Sequence, residues 1–293
     1  MASEFQFLIS VMKTIILLCI ALVASFYSFA QDKDVYIPLY TPLSGDQYVY
    51  ADTAFVRSSP ALNATINDTL FVGDNITITS NEKETSTIKG IWAQWSKVHY
   101  QKGGKFRDGY IWAGLLTFNP MRRGETQFVY GLERVIESKR DGVELKDYII
   151  GLKVVVNKQK VASYKFKLED SESARATMAR VSTNKGLPNI KNIIALTFSG
   201  EACAIPTLTY RFGWTGEKLY QLPLETDMVD AGTVYYDEQF IFPSDKSGLA
   251  DRIIMKIETG EATDKMDKKG NPIYKTTHER KVYKWDGYKV TPG

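Results

Sequence analysis

Beyond residue 47 the apolar residues recur in short runs at every second position, the period of a strand with one buried face. Residues 75–79 read Asn-Ile-Thr-Ile-Thr, which places Ile76 and Ile78 on the same face. Trp92, Trp95 and Val98 mark a second strand, and residues 109–112 (Gly-Tyr-Ile-Trp) a third. Between them Lys102-Gly103-Gly104-Lys105 has the composition of a hairpin tip. Residues 31–46, with Pro38, Pro42 and Gly45, read as an extended lead-in. The polar stretch 119–124, with Pro120 and Gly124, reads as a linker into a second β-rich region, 125–293. There the pattern predicts strands at 128–136, 148–156, 161–168, 193–198, 208–212, 219–222, 233–242, 253–257 and 280–285. One helix is expected over 170–181, capped by Asp170 or Ser171, because Ala174, Met178 and Val181 recur at helical spacing. The charged run 261–271 reads as a mobile loop, with His278 in a lysine-rich loop beyond it. Two short segments echo each other, Lys185-Gly186-Leu187-Pro188-Asn189 and Ser247-Gly248-Leu249-Ala250-Asp251, and both read as polar turns before apolar strands. The expected fold is mainly β: a first strand-rich block, then a larger antiparallel β domain with one helix.

Composition agrees. Tyr 17, Phe 14 and Trp 5 favour strands, and a net charge of +3 gives no argument for nucleic acid as a partner. Residues 12–30 carry Lys13, an apolar stretch over 14–24 and Ser28-Phe29-Ala30 before Gln31, the layout of a cleavable signal peptide, with residues 1–11 an atypical extension. The apolar run is short for a membrane span. Cys19 lies inside it after Leu17-Leu18, where a lipoprotein signal needs a small residue. The chain is therefore expected to be exported, periplasmic or extracellular, with no stable membrane insertion after cleavage. Cleavage leaves Cys203 alone, so stability must come from a core rather than a disulfide.

Phe55-Val56-Arg57-Ser58-Ser59-Pro60 ends a strand abruptly, since proline has no N–H for a ladder. It is followed by Leu70-Phe71-Val72-Gly73-Asp74, then Trp95-Ser96-Lys97-Val98, then Gly109-Tyr110-Ile111-Trp112. In this order the four segments resemble the bacterial SH3-like domain family over about residues 47–118. The resemblance implies a small barrel that binds rather than catalyses, with cell-envelope glycan or peptide, or envelope proteins, as partners. It makes Tyr48, Tyr50, Trp92, Tyr100, Tyr110 and Trp112 the candidate ligand-binding aromatics, and Trp95 a core residue. Two departures stand out: the extra Trp92, and a segment from His99 to Asp108 longer than a minimal member needs. Residues 182–190 faintly resemble a repeat of calcium-binding β-propellers, which makes the larger antiparallel β domain sandwich or degenerate propeller-like, but Lys185 stands where a carboxylate ligand would be needed, so no calcium is expected there.

Nothing in the chain spells out catalysis. A papain-like site needs a Cys beside a His, and Cys203, in Gly200-Glu201-Ala202-Cys203-Ala204-Ile205-Pro206, reads as a buried structural thiol instead. His99 and His278 are isolated, which argues against zinc. Asp227, Asp230, Asp237 and Glu238 read as a solvated loop face, and no cofactor is expected. A paired-carboxylate glycosidase needs no local motif and stays open. The expectation is an exported non-enzymatic binding protein. The alternatives are an envelope hydrolase with its site in the C-terminal region, or an inhibitor or interaction protein acting on a cell-wall hydrolase.

Overall fold

Alternation of buried and exposed residues turns the sequence pattern into three antiparallel sheets. The structure, a computed structural model, describes residues 44–293 apart from Asp141 and Asp170. Residues 1–30, read above as a signal peptide with its extension, and all but the end of the expected lead-in lie outside the described residues. The first sheet holds β1 (Gly45–Tyr48), β2 (Thr53–Arg57), β3 (Ile66–Phe71), β4 (Asn75–Ile88), β5 (Ile91–Lys102) and β6 (Lys105–Trp112), in the order β1-β4-β5-β6-β2-β3. It curls into a half-barrel around Val56, Leu70, Ile76, Ile78, Trp95, Val98 and Ile111. Trp95 is buried and donates its indole N–H to Ser86 Oγ at 2.9 Å, so neither its ring nor its polar edge is left wanting. After Phe55-Val56, half-buried Arg57 donates to the Ala64 carbonyl at 2.7 Å and holds the irregular loop. Gly73 takes φ +84° in the β3–β4 turn, against Val155 and Gln127, a position a side chain could not occupy.

The second sheet holds β7 (Met121–Arg123), β8 (Thr126–Arg140), β9 (Val143–Val156) and β10 (Gln159–Lys167), in the order β10-β9-β8-β7. The segment expected as a linker thus contains a strand, β7, paired to β8 and burying Met121. This sheet is the middle layer. One face presents Phe128, Tyr130, Leu132, Ile150, Leu152, Val154 and Phe166, and the apolar core that begins at Val49 runs through them to Trp214. The opposite face carries Val129, Lys153 and Val155, and receives Tyr50 and Val72 of the N-terminal region.

The third sheet holds β11 (Ala176–Ser182), β12 (Asn192–Ser199), β13 (Thr207–Trp214), β14 (Leu219–Gln221), β15 (Glu225–Asp230), β16 (Val234–Ile241), β17 (Arg252–Met266), β18 (Pro272–Trp285) and β19 (Val290–Pro292). Its order is β11-β12-β13-β15-β16-β17-β18-β19, with β14 beside β13. Its first strands face the middle sheet in a sandwich-like packing, Phe166 lying 4.4 Å from the Tyr210 ring centroid and 5.4 Å from that of Phe212. Its far half closes a separate core of Leu187, Ile190, Phe240, Met255, Ile257 and Trp285. The two echoing segments meet there. Lys185 and Asn189 in one, Ser247 and Asp251 in the other, all take positive φ, and Trp285 is tied to both, its indole donating to the Pro188 carbonyl and its amide to that of Asp251.

The expected helix over 170–181 is not formed. Residues 171–175 make turns and β11 pairs with β12 along its whole length. The helical spacing included Met178, which is 61% exposed, whereas Ala179 and Val181, two apart, pack on the core. A period of two prevailed because β12 offers a complete set of backbone partners. The loop expected over 261–271 is likewise mostly strand. β17 runs to Met266, the turn is closed by Asp267, which accepts the Lys269 and Asn271 amides, and His278 lies within β18.

The half-barrel meets the middle sheet at a built seat. Gly131 and Gly151 face each other across β8 and β9, and the Tyr50 ring lies over them. A Cβ at Gly151 would fall well inside contact distance of the Tyr50 hydroxyl. Gly151→Ala is expected to lower stability by roughly 2 kcal/mol. Adding Tyr50→Phe is expected to recover part of that loss, so urea denaturation of the two single variants and the double variant should show clear non-additivity.

Candidate functional site

An open groove of about 440 Å³ lies where the half-barrel meets the turns of the middle sheet. Its first wall is the β5–β6 hairpin. Val98 and Tyr100 point into the barrel, so His99 and Gln101 must point out, and the register puts Asp108 opposite His99 and Phe106 opposite Gln101 on that same outer face. Across the diagonal, the His99 and Phe106 rings stack at 5.0 Å and 13°. Asp108 lies 3.0 Å from His99 Nδ1 and fixes the imidazole plane. Phe106 is 68% exposed, so the pair forms an aromatic platform open to solvent. The second wall comes from the β7–β8 turn, with Arg122 paired to Glu125 at 3.1 Å, and from the β9–β10 turn, with Asn157 and Lys158.

Four carboxamides line this groove, each from a different place: Asn75 on β4, Gln101 on β5, Gln127 on β8 and Asn157 at the β9–β10 turn. None of them hydrogen-bonds another described protein group through its side chain. Each offers two N–H donors and a carbonyl acceptor to whatever enters. Beneath them the Tyr100 hydroxyl points away to Asp68 at 3.3 Å, and burial together with that carboxylate pushes its pKa up to about 12. Asp68 is itself held by Lys102 at 2.6 Å and Arg107 at 2.8 Å, which ties the tip end of the β5–β6 hairpin to β3.

The six sequence-selected aromatics do not come together. Tyr100 touches this groove, but its ring is buried. Tyr50 and Trp112 are also buried and line a different cavity, the Trp112 indole donating to the carbonyls of Ala93 and Ser86, each at 3.1 Å. Tyr48 packs against the Tyr50 cluster and Tyr110 against the main core, while Trp92 stands half-buried on β5. The platform residues His99 and Phe106 were not selected. Their signal lay in the lengthened segment from His99 to Asp108 and in strand alternation, which turns His99 outward once Val98 and Tyr100 are inward.

The residues considered for catalysis are dispersed. Cys203 is exposed on the turn between β12 and β13, not buried as expected. His99 belongs to the platform, and His278 pairs with Glu258 at 3.5 Å on the β17–β18 ladder. Among the described residues no three His, Cys, Asp or Glu side chains converge as a metal would require. None of the described helices is long and apolar enough to cross a membrane. Asp227 has its pKa pushed up to about 6 by burial and by the neighbouring charges of Glu225 and Asp237, against the pull of the Glu238 amide.

The most densely coupled charges surround Tyr50. Its hydroxyl donates to Glu133 Oε1 at 2.5 Å, and its ring takes the Lys153 ammonium 4.1 Å from the centroid. Burial, then the bond to Glu133, raise the tyrosine pKa. Burial lowers that of Lys153, against the pull of Asp52 and Glu133. Burial also opposes the charged form of Glu133, but the bonds from Tyr50 and Lys165 and the Lys153 charge outweigh it and hold its carboxyl low. Glu133 is the extra residue of a bulge on β8, between Leu132 paired to Ile150 and Arg134 paired to Ile149, and the bulge aims it at the tyrosine.

Compared with protein-family models, curated proteins and solved structures, the chain returns no significant match.

Two pH effects follow. A carboxyl with a lowered folded-state pKa contributes stability that is present above its ordinary value and lost as pH falls through the folded value. Glu133→Gln is therefore expected to cost roughly 1–3 kcal/mol near neutral pH, with the gap from wild type closing below the ordinary value of 4.5. Asp227 has the opposite sign, because ionising it in the fold is unfavourable. Asp227→Asn is expected to raise stability above about pH 6 and to change little near pH 4. For so incompletely buried a group the gain should be about 1 kcal/mol. Denaturant titrations at three pH values check both.

Proposed function

We propose that the chain is an exported, non-enzymatic binding protein that recognises cell-envelope glycan, or a peptide of the same envelope, in the groove between the half-barrel and the middle sheet. The observation that carries this reading is the solvent-open His99–Phe106 platform facing four uncommitted carboxamides. A sugar ring presents an apolar face of C–H groups and an equatorial rim of hydroxyl and acetamido groups. The platform suits the first, and amides that both donate and accept suit the second. The groove is open rather than enclosed, which matches a polymer passing through better than a small metabolite held inside. Export rests on the leader-like residues 12–30, and a binding role agrees with the resemblance of residues 47–118 to bacterial SH3-like domains. Buried Tyr50, Tyr100 and Trp112 serve as scaffold in this reading.

Retention on purified peptidoglycan tests it. Phe106 is exposed, so Phe106→Ala spares the core. Together with Gln101→Ala it is expected to weaken retention about tenfold, on the order of 1.4 kcal/mol, without lowering the melting temperature. Equal retention of variant and wild type, or no retention of either, would remove the groove from consideration. A parallel pull-down from an envelope fraction separates glycan from protein partners.

A further inference from the structure

A second cavity, of about 460 Å³, lies beside the Tyr50 seat, under the tip of the β4–β5 hairpin. That tip is docked. The Val135 amide donates to the Lys89 carbonyl at 3.0 Å, and Gly90 lies so close to the Val135 backbone that no side chain would fit. One wall is apolar, built by Ile88, Ile91, Trp112 and Leu115 from the half-barrel and Leu132 from β8. The opposite wall is charged. Asp52 takes Lys153 at 3.1 Å and Lys160 at 2.5 Å, while Glu133 takes Lys165 at 2.9 Å. Lys89 stands at the lip and forms no ion pair with the described residues. Three ammonium groups therefore share two carboxylates with Lys89 as a fourth, unshared cation at the lip, and both carboxylates already accept from more than one donor.

We propose that this cavity binds a small carboxylate carried on an apolar body. The charge excess calls for an anion. The apolar wall selects one with an alkyl or aryl group, because a purely polar anion would leave Trp112 and the isoleucines wet, and a neutral hydrocarbon would strip water from lysines without compensating them. The site is preformed. Lys153 is held by Asp52 and by the Tyr50 carbonyl at 3.0 Å, so it sets the field and does not move, while Lys160 and Lys165 reach in from β10 with solvent-accessible ends. Such a carboxylate is the head of a short fatty acid or the terminus of an apolar peptide. This inference is independent of the groove reading.

Titration calorimetry on the purified chain distinguishes the cases, with octanoate and N-acetyl-leucine as probes and octanamide and N-acetyl-leucinamide as their neutral counterparts. At least one anion is expected to bind at a single saturable site while its amide gives no saturable heat. Raising the salt should weaken binding, since the cations are partly exposed. Lys160→Gln with Lys165→Gln, which leaves Lys153 and the seat intact, is expected to weaken it tenfold or more. The probe that binds identifies the source of the carboxylate. Failure of both anions to saturate, equal binding of anion and amide, or unchanged affinity in the folded double variant would each overturn the proposal. The anion–amide comparison on wild type decides the matter even where the double variant does not fold.

Discussion

The structure depends on one contact, a tyrosine ring laid across two facing glycines. Tyr50 leaves β1, sits over Gly131 and Gly151, takes the Lys153 ammonium on its ring and gives its hydroxyl to Glu133. Without side chains at those two glycines the backbone of the middle sheet can be approached closely. The ring then fills the gap that would otherwise separate half-barrel from sheet. Charges follow from the same geometry. A buried lysine is unfavourable by itself and is tolerable here because Asp52, Glu133 and a backbone carbonyl surround it. The second cavity is lined by Tyr50, Glu133 and Lys153 of this seat, so the contact that joins the sheets also shapes that cavity.

The groove and the cavity differ in the chemistry of their linings. The groove is open, amide-rich and carries a stacked aromatic pair at its rim, features that suit an extended hydroxyl-bearing chain. The cavity is half apolar and half cationic, features that suit a compact amphiphilic anion. Both are assembled from strands rather than from long loops, so their side chains are held by ladders and by a common core. Binding to such surfaces loses little conformational entropy, which favours recognition by a preformed surface over folding around the ligand.

Much of the fold was legible because period-two alternation is a local signal. The inward pair Ile76 and Ile78 followed from it, turn composition marked the hairpin at Gly103-Gly104 and the strand after Asn157-Lys158, and the buried Trp95 had been implied by the family resemblance. The helix expected over 170–181 failed where two periods overlapped in one segment. Ala174, Met178 and Val181 fit a helix, while Ala179 and Val181 fit a strand, and the free edge of β12 decided between them. The binding aromatics failed for a different reason. Chemical type marks Tyr50 and Trp112 as well suited to a ligand, but equally to a core, and only the packing of the middle sheet against them buries both.

By itself, the sequence determined the mainly-β character and most strand positions, because each depends on neighbours within a few residues along the chain. Tertiary structure alone decided that a segment resembling a linker is strand β7, that one core runs from Val49 to Trp214, and which side chains share a site. Asn75, Gln101, Gln127 and Asn157 converge on one groove, and four lysines and two carboxylates on one cavity, only after the sheets have packed. Residues that far apart in the chain carry no local mark of their proximity; it is created when apolar faces are buried against one another.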